Sequence, residues 1–139
     1  MRKLNRTQLA ELLPHGGEMC LLETVESWDA DSITCKAIGH RDPKHPLRSG
    51  QGLSAVCGAE YAAQAMAVHG ALTSGVRSGM LAALRDVELF VPRLDDQSGD
   101  LTIHARKLIA ESNRLLYEFS VRCNESLLVT GRAAVVLDT

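Results

Sequence analysis

The chain has 139 residues, with 15 Lys and Arg against 17 Asp and Glu, giving a net charge of −2. That length builds one domain over 1–139 with room for a sizeable core. The interspersed charge excludes nucleic acid as a bulk electrostatic partner. Four cysteines (Cys20, Cys35, Cys57 and Cys123) show no CxxC or other metal-ligand spacing. They read as small buried hydrophobes in a reducing compartment, with no metal implied.

In chain order, Asn5-Arg6-Thr7 ahead of QLAELL predicts a short helix capped by Asn5 or Thr7 and stopped at Pro14. The apolar run there is short and broken by Gln8 and Glu11. It predicts neither a signal peptide nor a membrane span, which points to a cytoplasmic domain. Residues 19–28 and 32–38 predict two strands, joined at Asp29-Ala30-Asp31 as a hairpin. Residues 39–52, GHRDPKHPLRSGQG, hold two prolines, three glycines and six charged or His residues, the composition of a loop.

Ser54 is placed to cap the next helix, and Gly75 and Gly79 to end it. Within that helix, VCGAEYAAQAMAVHG is apolar on almost every face and carries one acid, Glu60. A helix apolar all round belongs in a core. A carboxyl enclosed there is costly when ionised and is driven toward its protonated form, which suits acid–base chemistry. Four further strands are expected over 80–91, 100–110, 114–123 and 127–137. Alternation is clear at Leu115, Tyr117, Phe119 and Val121.

Two strands, one long helix and four strands make an α+β fold in which a curved antiparallel sheet wraps a central helix, the hotdog architecture. One sheet cannot cover every apolar face of such a helix, so a dimer is expected.

Several segments also carry a family likeness. Leu13-Pro14-His15 followed by MCLLETV, and Gly39-His40 followed by a proline-bearing loop and a helix with Glu60 and Gln64, resemble the β-hydroxyacyl-acyl carrier protein dehydratases. MLAALRDVELFVPRLDDQSGDLTIHARKL and RLLYEFSVRCNESLLVTGRAAVVL are similar to their later strands. HRDPxxPL ahead of EYAAQAMAVHGAL more closely resembles the dehydratase-like proteins of aryl polyene pigment clusters.

The resemblance implies a hotdog dimer that dehydrates 3-hydroxyacyl thioesters held on the phosphopantetheine of an acyl carrier protein. It implies a site pairing a His of one subunit with the helix acid of the other, here His40 and Glu60. The loop between them is longer than in the standard dehydratase, and Leu53-Ser54-Ala55 replaces its Pro-Gly. His45 lies nearer the standard spacing, so it is the alternative base.

The reaction needs a base for the α-proton, an acid for the departing hydroxyl and donors for the thioester oxygen. A neutral His suits the first role and Glu60 the second. Backbone N–H groups from Ala55 to Gly58, at the start of the helix, are candidate donors for the third. Gln64, one turn after Glu60, is a candidate to orient it. The resemblance assigns residues around Leu84 to Phe90 to the acyl tunnel. No metal or redox cofactor is needed.

Bland roles compete with these. His15 reads as a structural hydrogen-bond donor, His69 as a packed core residue and His104 as solvent-facing. Arg77, Arg85, Arg93, Arg106, Lys107 and Arg114 are candidates for a basic patch facing an acidic carrier. Two other functions remain open. One is a hotdog thioesterase using Glu60 to activate water. The other is a non-catalytic subunit that binds carrier protein and stabilises a dehydratase partner.

Overall fold

The computed structural model describes residues 3–13, 20–74 and 79–137. The expectations for Pro14, His15, Gly75 and Arg77 fall outside these residues. Helix α1 (Arg6–Ala10) is capped by Asn5, whose side chain accepts the Gln8 N–H at 2.9 Å. The Gln8 side chain accepts the Asn5 N–H in return at 3.1 Å, a capping box.

Strands β1 (Thr24–Trp28) and β2 (Ser32–Ala37) form the expected hairpin, with Asp29 Oδ1 accepting the N–H groups of Asp31 and Ser32. β1 starts later than its apolar composition suggests, because Leu21 N–H donates to the Gln64 side chain instead of to a neighbouring strand. Helix α2 (Gly58–Ser74) follows the long loop. β3 (Gly79–Leu89), β4 (Leu101–Glu111), β5 (Arg114–Cys123) and β6 (Ser126–Leu137) complete one antiparallel sheet in the order β1-β2-β4-β5-β6-β3. Alternate side chains of the strands, among them Ile33, Cys35, Ile103, Ala105, Tyr117, Phe119 and Val121, are buried in the core with α2.

Close packing of α2 on the sheet depends on Gly58, where a Cβ would stand 3.0 Å from Val129 Cγ2. The other end of the helix is fixed by His69, which is fully buried. Its Nε2–H donates to the Asp29 carbonyl at 2.9 Å, and its Nδ1 accepts the Tyr117 hydroxyl at 2.7 Å. This single side chain therefore ties α2 to the β1–β2 turn and to β5, the structural role expected of it.

α2 is not enclosed on all sides. Glu60 and Ala67 are exposed and Ala63 is half-buried, a spacing that marks one face of the helix. The expectation of a carboxylate sealed in the core is thus corrected: Glu60 sits on the open face of the protomer. β3 forms the sheet edge, and Leu81, Leu84 and Leu89, with Phe90 just beyond it, are exposed there.

Candidate active site

His40 leaves β2 on a 3₁₀ turn, Gly39–Arg41, inside what composition marks as plain loop. Only 2% of its surface is exposed. Its Nε2 lies 2.9 Å from the Gln97 carbonyl oxygen. A carbonyl only accepts, so Nε2 carries the proton and Nδ1 presents a lone pair. Among the described residues Nδ1 is buried and has no hydrogen-bond partner. An acceptor left that way costs about 1–3 kcal/mol, which marks a position kept for something other than stability.

His45 is placed differently. Leu47 N–H donates to its Nδ1 at 3.1 Å, so its Nε2–H donates to the Tyr61 hydroxyl oxygen at 2.9 Å. Both nitrogens are occupied. Burial, with nearby His40 and Arg48 adding to it, pushes the His45 pKa below the ordinary value, partly opposed by Asp42. A cavity of about 530 Å³ opens beside it, lined also by Cys20, Leu21, Gly39, Asp42, Lys44 and Pro46.

The start of α2 is not a set of free donors. A 3₁₀ turn, Ala55–Cys57, precedes the helix with Ser54 as its cap, accepting Val56 N–H at 3.3 Å. Ala55 N–H donates to the Pro92 carbonyl at 3.0 Å, Cys57 N–H to Ser54 and Gly58 N–H to Ala55 and Val56. The expected donor role of Ala55 and Gly58 is therefore not met within the protomer, because the tight turn satisfies those groups first.

Gln64 Oε1 accepts Leu21 N–H at 2.8 Å, so this oxygen anchors the segment ahead of β1. Among the described residues no hydrogen bond or ion pair joins His40 or His45 to Glu60. Arg93 and Arg106 are paired with Asp95 and Glu118, which takes both out of a free basic patch. His104 is half-buried on the sheet face, with Thr34 Oγ1 2.9 Å from its Nδ1.

A family model for ApeP-like dehydratases (ApeP dehydratase) matches residues 7–138. The chain belongs to the ApeP-like dehydratase family. Among solved structures it is similar to the dehydratase heterocomplex ApeI:P from Xenorhabdus doucetiae, at 27% identity and a TM-score of 0.84, covering 94% of this chain and 91% of that one.

Other hotdog neighbours bear on the fold alone. A thioesterase from Haemophilus influenzae matches at 16% identity and a TM-score of 0.71, over 98% and 92% of the two chains. The PaaI protein of the E. coli phenylacetic acid degradation operon matches at 14% and 0.61, over 81% and 80%. No curated protein matches the sequence. Membership of the ApeP-like family makes the chain a dehydratase-type lyase on a hotdog fold. No helix among the described residues is long and apolar enough to cross a membrane.

Proposed function

We propose that the protein dehydrates 3-hydroxyacyl thioesters carried on acyl carrier protein, giving trans-2-enoyl thioesters, in the cytoplasm. His40 Nδ1 removes a proton from C2 of the acyl chain. Glu60 of the facing hotdog subunit protonates the hydroxyl on C3, the C3–O bond breaks, and water leaves as the C2=C3 double bond forms. The observation that carries this reading is the buried Nδ1 of His40, which has no hydrogen-bond partner among the described residues, with Nε2–H held on the Gln97 carbonyl. A base with its lone pair free and its tautomer fixed needs no change of tautomer before proton transfer.

The exposure of Glu60 fits a site shared between subunits, as does the apolar edge of β3. We place a second hotdog chain along that edge, with Leu84 and Phe90 lining the acyl slot between the two. The similar ApeI:P structure is a dehydratase heterocomplex, so a non-identical hotdog subunit is the alternative chain along that edge; its own helix acid would then face His40, and Glu60 would serve the partner's site.

The test is mass spectrometry of a carrier protein loaded with a 3-hydroxyacyl chain, incubated with the protein alone and with a dehydratase partner. Loss of water that vanishes in His40→Ala and Glu60→Gln is expected. Release of free acid would reassign the protein as a thioesterase. A carrier bound but unchanged in both incubations would make it a non-catalytic subunit.

A further inference from the structure

The connection between β3 and β4 holds two parts of the site at once. Leu94 N–H donates to the Leu53 carbonyl at 2.8 Å and Ala55 N–H to the Pro92 carbonyl at 3.0 Å, which lays the lead-in to α2 along residues 92–94. Three residues later, the Gln97 carbonyl fixes His40. A tight turn joins these points, closed by Gln97 N–H on the Leu94 carbonyl at 3.1 Å.

Asp95 lies inside that turn with only 3% of its side chain exposed. Its Oδ1 accepts Leu53 N–H at 2.9 Å and Arg93 Nε–H at 3.1 Å. Its Oδ2 pairs with Arg93 Nη2 at 2.5 Å and with Arg48 Nη2 at 3.4 Å. Gly52, at φ +97°, lets the loop backbone pass against the carboxylate, where a Cβ would stand 2.8 Å from both oxygens. The Arg93 hydrogen bonds, helped by Leu53 N–H, hold the carboxyl well below the usual carboxylate range.

A buried carboxylate is tolerated only when its oxygens are satisfied, and these are satisfied from both sides of the site. We propose that Asp95 is a positioning residue for the dehydration. By locking the loop at Arg48 and Leu53 to the turn at 93–97, it sets where the Gln97 carbonyl meets His40 relative to the start of α2. This inference rests on His40 being the base. If Asp95 lost its grip, the Gln97 carbonyl would shift, His40 would gain the other tautomer, and the free lone pair would no longer stay at Nδ1. A displacement of about 1 Å in such a group is enough for a hundredfold loss of rate.

The variant Asp95→Asn keeps an acceptor for Leu53 N–H and removes the charge that gathers Arg48 and Arg93. Two readouts are taken on the folded protein: the ¹⁵N spectrum of the His40 imidazole, and kcat and KM on the loaded carrier. The expected result is a pure Nε2–H tautomer in the parent and a mixed one in the variant. With it, kcat falls about 10- to 100-fold while KM stays within about threefold. Arg48→Gln, which removes one of the pairs, is the milder variant should Asp95→Asn fail to fold, and shifts both readouts in the same direction by less.

An unchanged tautomer, or kcat within about twofold of the parent in both variants, would overturn the proposal. The tautomer readout needs no turnover. Absence of water loss in the parent protein would therefore count against the base assignment, while the spectrum still reports on the clamp.

Discussion

His45 Nε2 and the Tyr61 hydroxyl stand 2.9 Å apart, and with Leu47 N–H on the other nitrogen this histidine has no lone pair to offer a substrate. His40, five positions earlier in the same loop, keeps one among the described residues. The pair therefore separates under mutation. His40→Ala is expected to lower kcat by about 10²- to 10⁴-fold, the range for a general base. His45→Ala should leave kcat within about tenfold, because its effect passes through the loop. Steady-state kinetics on a loaded carrier checks this, and loss of turnover in His45→Ala alone would transpose the assignment.

Glu60 is exposed, so Glu60→Gln should change stability by less than about 0.5 kcal/mol, as surface substitutions do. Its activity should nevertheless fall by about 10²-fold or more if it supplies the proton to the leaving hydroxyl. Urea denaturation beside the kinetic assay separates the two. A variant that is less stable and equally less active would make Glu60 a structural residue.

The fold was readable in the sequence where the pattern is local. The helix cap at Asn5, the Asp29 turn and the alternation of Tyr117, Phe119 and Val121 each involve neighbours along the chain, and the structure has them as expected. The open face of α2 was not readable, because alanine is equally at home against a core and on a surface kept for a partner. Ala63 and Ala67 differ from Ala62 and Ala65 only in where the sheet lies. Asp95 was equally hidden. Its partners sit at 48, 53 and 93, and nothing in Pro92-Arg93-Leu94-Asp95 distinguishes a buried carboxylate from a turn residue.

The β3 edge should carry the association with a second hotdog chain. Replacing Leu81 and Leu84, both exposed, by Lys puts charge where a strand would pair and desolvate them. Sedimentation should show a smaller species with unchanged secondary structure by circular dichroism. An unaltered oligomer would move the contact elsewhere.

Stability should depend on pH through His69. Burial lowers its pKa below the ordinary 6.5, outweighing its hydrogen bond to the Asp29 carbonyl. The unfolded chain then binds a proton that the folded one refuses. The contribution is complete above about 6.5, the unfolded value, and is lost as pH falls from there through the lowered folded value. His45 acts in the same direction. Urea midpoints should fall between pH 8 and pH 5.5, and fall less in His69→Leu. That variant should itself cost about 2–4 kcal/mol at pH 8, having lost two buried hydrogen bonds and the packing of the ring.

The central claim is that His40 takes the α-proton, and the most direct test is hydrogen exchange at C2. The 3-hydroxyacyl carrier is incubated in D₂O with the protein and its dehydratase partner, the exchange given by the partner alone is subtracted, and the recovered substrate is analysed by mass spectrometry. Deuterium at C2, lost in His40→Ala and kept in His45→Ala, is the result this account predicts. Deuterium that persists in His40→Ala would contradict it.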